Sequence, residues 1–173
     1  MEYTRATESP DAYHFWTAVS VLGAATARQV SLDFNYFTIY PNTYIILVGP
    51  SGVRKSAAAA IGMAIAETAG IKKFSDKITG AALLKDLAEC TVKRIYGTTI
   101  QLCSPMLIYA SELGVFMGPD AYSSGVIADL TDLYDCPKKW EKKTISRGSE
   151  EIIAPYVSLF AAATPTSLKA CIP

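Results

Sequence analysis

The segment that most constrains the fold is GPSGVRKS at residues 49–56, which follows an apolar run and precedes an alanine-rich one. The apolar run, TYIILV at residues 43–48, has the composition of a strand that is buried on both faces. The alanine-rich run predicts a helix over residues 55–69, which Gly70 would end. A strand, a glycine-rich turn and a helix in this order form the first half of a βαβ unit.

The turn matches the phosphate-binding pattern G-x-x-x-x-G-K-[ST] at seven of its eight positions. In this pattern the loop amides and the helix N-terminus face an anion, a lysine reaches the β- and γ-phosphates, and a hydroxyl ligates Mg²⁺. Lys55 and Ser56 supply the last two groups. The predicted nucleotide-binding residues are Gly49, Pro50, Ser51, Gly52, Val53, Arg54, Lys55 and Ser56.

Arg54 is the departure, because the pattern has glycine at this position. We expect its backbone to lie near helical φ/ψ and its side chain to point away from the nucleotide. Arg54 weighs more against hydrolysis than against binding. The alternative interpretation is a chance glycine turn that happens to be followed by a lysine.

Two further apolar runs, residues 106–110 and 156–163, predict buried strands. Helices are predicted over residues 12–28, 79–90 and 126–134, a strand or hairpin arm over 30–40, and a hairpin over 140–153. Buried strands that alternate with helices predict an α/β fold of three layers around a mainly parallel sheet. Together with the phosphate-binding pattern, this fold is interpreted as a P-loop nucleoside triphosphatase core of the RecA-like kind. Residues 1–11 are expected to be a flexible N-terminus, and residues 12–173 the core.

Side-chain patterns predict which helix faces are buried. The leading helix would start at a cap formed by Asp11 or Ser9. Two helices have a predicted inner face: this leading helix and the helix over residues 79–90. The predicted inner faces are Phe15, Val19, Leu22 and Thr26 in the leading helix, and Leu83, Leu84 and Leu87 in the other.

Composition excludes several classes of protein. Half of the residues are hydrophobic and 18% are charged, which disfavours wholesale disorder, and 16 Lys+Arg balance 16 Asp+Glu, which excludes a polybasic coat. The four cysteines have no C-x-x-C spacing and the single histidine is His14, so a zinc site is disfavoured. No apolar stretch approaches the roughly 20 residues of a membrane span, and no signal peptide is recognisable, so we expect a cytoplasmic protein.

Hydrolysis would require an acidic group at the end of a neighbouring strand. Glu112 follows the strand of residues 106–110 and is the predicted water-activating residue, with Ser111 as a weak Mg²⁺ ligand. Glu112 could instead only cap the next helix, and Asp129 or Asp132 is an alternative acid, although both fit the polar face of a helix. Thr164 ends the third strand, either as a γ-phosphate sensor or as a simple strand terminus.

Residues 138–147, KKWEKKTISR, form the most basic segment. Cations offset phosphate charge and a tryptophan can stack on an unpaired base, so this segment is a candidate contact for single-stranded DNA. The alternative is a solvated hairpin with its tryptophan in the core. The candidate DNA-binding residues are Lys138, Lys139, Trp140, Lys142, Lys143 and Arg147.

Five segments in order, YPNTYIILVGPSGVRKS, FSDKITGAALLKDL, MLIYASELGVFMG, LTDLYDCPKKWEKKT and PYVSLFAAATPTSL, give the chain a family resemblance from Trp16 onward. It resembles the phage and prophage primase–helicase-like P-loop ATPases, which have RecA-type motor domains. The resemblance implies that Arg54 is a family trait and that Ser111-Glu112 and Thr164-Pro165 are the catalytic-acid and sensor positions.

The same resemblance implies an ATP- and Mg²⁺-dependent helicase or primase-helicase motor that acts on single-stranded DNA in replication of a mobile element, in the host cytoplasm if phage-encoded. It also implies a homo-oligomeric ring in which a neighbouring subunit supplies an arginine. Relatives continue past the sensor strand into the segment with that arginine, so we expect a C-terminally incomplete core; Arg147 or Arg28 are possible substitutes. The alternatives are a nucleotide-binding regulatory or scaffolding module with little or no turnover and, less favoured, a small-molecule kinase.

Overall fold

A computed structural model of the chain describes residues 2–75, 80–96, 98–118, 125–144 and 148–171. The strands are Leu32–Asp33 (β1), Thr38–Ile39 (β2), Tyr44–Val48 (β3), Lys73–Ser75 (β4), Val92–Tyr96 (β5), Thr99–Ala110 (β6), Lys139–Thr144 (β7), Gly148–Ile153 (β8) and Pro155–Ala163 (β9). The helices are Asp11–Thr26 (α1), Lys55–Thr68 (α2), Gly80–Glu89 (α3), Leu113–Met117 (α4), Val126–Tyr134 (α5) and Pro165–Cys171 (α6), preceded by a 3-10 helix over Glu2–Thr7.

The central sheet has the strand order β3-β9-β6-β4, and all three pairings along this path are parallel. β5 adds an antiparallel partner to the first half of β6. β9 lies between β3 and β6, and all nine of its residues are buried. The predicted α/β fold with a mainly parallel sheet is therefore confirmed.

Alternate residues of the central strands face two separate apolar clusters, as the two-residue period of a strand requires. Val157 and Leu159 of β9 lie in the cluster that includes α3, α4 and α5, whereas Phe160 lies in the cluster with α1 and α2. The sheet is thus covered on both faces, with α1 and α2 on one and α3 to α5 on the other. The predicted inner face of α3 is confirmed, since Leu83, Leu84 and Leu87 are all buried.

β3 is less buried than its apolar run predicts. It ends the order of the four parallel strands, and the side chains of Ile45 and Ile46 are only half-buried. The prediction of a strand buried on both faces holds only in part: Ile46 packs against one apolar cluster and Ile45 against the other, but burial is incomplete at this end of the strand order. Gly70 ends α2 as predicted, with a φ of +67° and an amide that donates to Glu67 O.

The buried face of α1 differs from the predicted stripe. Phe15 and Leu22 are 51% and 68% exposed. The face that packs on the protein carries smaller residues, His14, Thr17, Ser20, Val21, Gly23 and Ala24. Small side chains let the helix backbone come close to its neighbours, so apolar size is a poor guide to this face. Neither predicted cap is used, because Pro10 occupies the N-cap position without a side-chain bond.

Two smaller features precede the sheet. The 3-10 helix at the N-terminus is linked to α1 by a 2.8 Å hydrogen bond between Thr7 Oγ1 and His14 Nε2. β1 and β2 pair as an antiparallel hairpin arm, as the sequence predicts, and both strands are exposed. Within the described ranges, none of the helices is both long and apolar enough to traverse a bilayer.

Candidate phosphate-binding site

The parallel pairing brings the carboxyl ends of three strands to one edge of the sheet. Val48 is paired with Ala163 across β3 and β9, and Ala110 with Ala161 across β6 and β9. The segments that leave these strands begin with residue 49, residue 164 and residue 111. Ligands of open α/β sheets bind at this edge, where the strands end.

The loop of residues 49–56, called the phosphate loop below, leaves β3 and enters α2 as predicted. Gly49 donates its amide to Ala163 O at 3.2 Å, which fixes the start of the loop on the central strand. A Cβ added to Gly49 would lie 2.3 Å from Tyr13 Oη and 2.9 Å from Val53 Cγ2, so any larger residue would force these side chains to move. Gly52 has a φ of +89°, and the space beside it is open. Glycine is therefore favoured there by the backbone conformation and not by a close contact.

Arg54 lies in the left-handed region, with φ 59° and ψ 26°. The prediction of a backbone near the right-handed helical conformation is therefore wrong, and the geometry explains why the pattern has glycine at this position. The side chain points outward and forms a 3.0 Å ion pair with Glu8 in an exposed setting. This exposed pairing is compatible with the expected direction away from a nucleotide, which stays a prediction.

Lys55 is the first residue of α2, and its side chain folds back over the loop. Its Nζ donates to Gly49 O at 2.6 Å and to Pro50 O at 2.9 Å. Ser56 is exposed in the first turn of the helix. The amides of Lys55 and Ser56 have no acceptor within the described part of the chain, as is usual for a helix start.

Glu112 caps α4 through its backbone only. Its carbonyl accepts from the amides of Val115 and Phe116, and its side chain makes no capping bond. The carboxylate instead accepts a 2.6 Å hydrogen bond from Ser167 Oγ in α6. The side chain is thus turned toward the segment that follows the central strand, and Ser111 lies exposed beside it.

Thr164 is the N-cap residue of α6. Its Oγ1 accepts a 3.1 Å hydrogen bond from the amide of Ser167, and Pro165 takes the first helical position. Thr164 is therefore more than a strand terminus. Ser167, which contacts both Glu112 and Thr164, was missed by sequence reasoning, although the T-P-x-S spacing of a helix cap was a local signal.

The alternative acids differ from each other. Asp129 is buried, and both of its carboxylate oxygens accept from Lys142 Nζ, at 2.8 and 2.5 Å. The assignment of Asp129 to a polar helix face is wrong, because a buried carboxylate needs such a partner. Asp132 is exposed, as predicted.

The basic segment forms the predicted hairpin, β7 with β8, but several of its residues are engaged within the chain. Trp140 is 8% exposed and belongs to the core, so the burial alternative is correct and the stacking role for this ring is wrong. Lys139 pairs with Glu141 and, at 2.9 Å, with Glu151; these carboxylates raise the pKa of its ammonium. Lys142 is held by Asp129.

The remaining candidates of this segment are less defined. Lys138 is exposed. Lys143 lies in β7, and only its backbone is described; Arg147 lies outside the described residues. Arg28, a possible substitute for a trans-acting arginine, donates from Nη2 to Cys136 O and lies 4.6 Å over the Tyr40 ring. Its Nη2 and ring contact are therefore engaged within its own chain, although its buried Nε has no hydrogen-bond partner among the described residues.

The residues at the edge fit the tail of a magnesium-bound nucleoside triphosphate. The loop has open space at Gly52 and a lysine ammonium that donates to the loop carbonyls of Gly49 and Pro50. The first helix amides have no acceptor among the residues that the structure describes. Ser56 and Ser111 offer hydroxyl oxygens to a hard cation. Among the described residues, no group of three or more His, Cys, Asp or Glu side chains is placed to hold a metal ion.

Comparison with protein-family models and with curated proteins found no match for this chain.

Proposed function

We propose that this chain binds Mg²⁺–ATP at the phosphate loop and hydrolyses it, as a P-loop ATPase. One observation carries the proposal: the phosphate loop, Glu112 and Thr164 leave three adjacent parallel strands at one edge, with the strand of Thr164 inserted between the other two. A phosphate-binding loop alone binds; an acid at the end of β6, which β9 separates from the loop strand β3, would add hydrolysis.

In this mechanism each residue has a separate role. The ammonium of Lys55 would leave the carbonyls of Gly49 and Pro50 and donate to phosphate oxygens, where it offsets charge that develops during transfer. Ser56 would bind Mg²⁺, which supplies charge neutralisation at the phosphates when bound. Glu112 would accept a proton from the attacking water. The hydroxyl of Thr164 would donate a hydrogen bond to an oxygen of the γ-phosphate.

We extend the proposal to a DNA motor, a helicase or primase-helicase of a mobile element. The family resemblance and the inserted central strand support this extension. The basic hairpin supports it less, because Lys139 and Lys142 are paired with carboxylates and Trp140 is buried. Stimulation of ATP hydrolysis by single-stranded DNA is the property that this extension predicts.

The experiment measures ATP binding by calorimetry and phosphate release with and without a single-stranded oligonucleotide. Lys55→Ala is expected to weaken ATP binding, whereas Glu112→Gln is expected to retain binding and lose turnover. Lys85→Ala and Glu89→Gln, both on exposed side chains of α3, are matched controls that should behave like the unaltered chain. Absence of ATP binding at millimolar concentration would refute the proposal.

A second candidate is a nucleotide-binding regulatory or scaffolding module without turnover. The observation that favours it is Ser111, which stands where a stronger carboxylate ligand would be expected next to the acid. Tight ATP binding without phosphate release at any protein or DNA concentration would support this candidate over the motor.

A further inference from the structure

Ser167 is the point at which the two candidate catalytic segments meet. Its hydroxyl donates to Glu112 Oε1 at 2.6 Å, and its amide donates to Thr164 Oγ1 at 3.1 Å. Glu112 follows β6 and Thr164 follows β9, so a single residue in the first turn of α6 connects the ends of both strands. Neither bond belongs to the sheet or to a regular helix ladder.

The packing of α6 on α4 restricts where the Ser167 hydroxyl lies. A Cβ added to Gly114 in α4 would come within 2.9 Å of Ser167 Oγ and 3.6 Å of Cys171 Sγ. The glycine therefore lets the two helices approach closely enough for the hydroxyl to reach the carboxylate.

The bond has the form expected for the support of a general base. A carboxylate has two oxygens, and Ser167 engages only Oε1; Oε2 has no hydrogen-bond partner within the described residues. A neutral hydroxyl orients the carboxylate and leaves its charge unpaired. A lysine or arginine in the same place would instead form an ion pair with it. Bases in enzymes are commonly oriented by such a third group.

The hydroxyl proton of Thr164 is also available. Its oxygen accepts from the Ser167 amide, and a hydroxyl that accepts can still donate. Within the described residues this proton has no acceptor. Thr164 would therefore be able to contact a phosphate while it caps α6. The cap would keep Ser167, and through it Glu112, at a fixed position relative to that contact.

We propose that Ser167 is a positioning residue for ATP hydrolysis: it holds Glu112 by Oε1, so that Oε2 accepts the proton of the attacking water, and it ties this position to Thr164. This inference rests on the proposed function. It adds a residue outside the phosphate loop and outside the acid and sensor positions.

The test is Ser167→Ala, with kcat, KM and ATP affinity measured on the full chain. We expect kcat to fall roughly 10- to 100-fold, because a misplaced base loses that much rate, while KM and ATP affinity change less than about twofold. Ser167→Thr retains a hydroxyl and should recover most of the rate. Thr166→Ala, at an exposed neighbour in the same helix, is the control for a general effect on α6.

A double variant separates positioning from structure. If Ser167 acts through the acid, Ser167→Ala should add no loss in a Glu112→Gln background, since residues that act as a unit are not additive. An unchanged or raised kcat in Ser167→Ala, or equal losses in Ser167→Ala and Thr166→Ala, would overturn the inference. That result leaves the proposed function intact, whereas an unaltered chain that neither binds nor hydrolyses ATP would overturn both.

Discussion

Gly62, in the middle of α2, tests how α1 is seated on the protein. A Cβ added there would lie 2.2 Å from Thr17 Cγ2, well inside contact distance, and 3.5 Å from Val21 Cγ2. Gly62→Ala therefore has two opposed effects on the free energy of unfolding. The alanine gains about 1 kcal/mol from helix propensity. The clash with α1, at 2.2 Å, lies at the upper end of the overpacking range and costs about 2–3 kcal/mol.

The clash should prevail, because Thr17 cannot easily move. Its side chain is 4% exposed, and its hydroxyl donates to Tyr13 O at 2.6 Å, so rotation of the methyl group would break that bond. We expect Gly62→Ala to lower the free energy of unfolding by about 1–2 kcal/mol. For a chain of this length that is a decrease in Tm of roughly 2–8 °C.

Thr17→Ser removes the methyl group that clashes and keeps the hydroxyl bond. The next nearest atoms, Val21 Cγ2 at 3.5 Å and Thr17 Cβ at 3.7 Å, are at ordinary contact distances. In the Thr17→Ser background, Gly62→Ala should therefore raise the free energy of unfolding by about 0.5–1 kcal/mol, the propensity gain alone. The sign of one substitution is expected to reverse with the removal of one methyl group.

Urea denaturation of the four chains measures these differences, and an unchanged m value would show that two-state unfolding is retained. Ala60→Gly, at an exposed position of the same helix, isolates the propensity contribution and should cost about 1 kcal/mol. Stabilisation of the unaltered chain by Gly62→Ala, or an equal effect in both backgrounds, would show that Thr17 does not clash with the added methyl group.

Three other substitutions test the loop, the hairpin and the core. Gly49→Ala should destabilise by about 1–3 kcal/mol in thermal unfolding, and less in a Tyr13→Phe background that lacks the clashing oxygen; equal losses would contradict the geometry. Lys142→Met should cost about 1–3 kcal/mol in urea, because it leaves the buried Asp129 carboxylate unpaired, and Asp129→Asn in the same background should recover part of this loss. Burial raises the pKa of the Cys136 thiol from 9.0 to about 11. As the pH rises, the unfolded chain therefore loses this proton before the folded chain does, and the free energy of unfolding should fall between pH 9 and 11. Cys136→Ala should flatten that fall, and an unchanged pH profile would contradict this expectation.

Local patterns predicted much of the secondary structure. The apolar run at residues 156–163 became β9, and the periodic segment over residues 126–134 became α5. β9 is buried throughout, and α5 buries its apolar residues Val126, Leu130 and Leu133, because burial and period are set within one short segment; the buried Asp129 is the exception. The α/β class followed from the alternation of such segments, without knowledge of any contact between them.

Features that depend on pairing were beyond the sequence patterns. β9 lies between β3 and β6, and its pairing with β3 joins Tyr44 to Leu159, far apart in the sequence. β5 extends the sheet with a polar strand that no apolar run predicts. The buried face of α1 was mispredicted because close approach selected small residues over large apolar ones. Packing decided each of these cases against local hydrophobicity.

The candidate site shows the same division. Its loop residues were predicted because the pattern has a fixed spacing, whereas its supports come from distant segments. Tyr13 Oη donates to Val48 O at 2.8 Å, immediately before the loop, and Ser167 holds Glu112 from a helix 55 positions later. Polar contacts of this kind have no local sequence signal, apart from the capping pattern at Thr164.

The left-handed backbone of Arg54 identifies what holds the phosphate loop in shape. That conformation costs roughly 1–2 kcal/mol for a residue with a side chain. The ion pair with Glu8 is exposed at both ends, with 58% and 74% of the side chains accessible, and such pairs contribute about 0–1 kcal/mol. The pair is therefore too weak to impose the conformation.

The loop is instead held at its two ends, by the Gly49 amide on Ala163 O and by the Arg54 carbonyl, which accepts from the Ala57 amide at 3.1 Å as α2 begins. Removal of Glu8 should consequently leave the loop geometry and ATP binding in place, whereas changes at Gly49 should affect both.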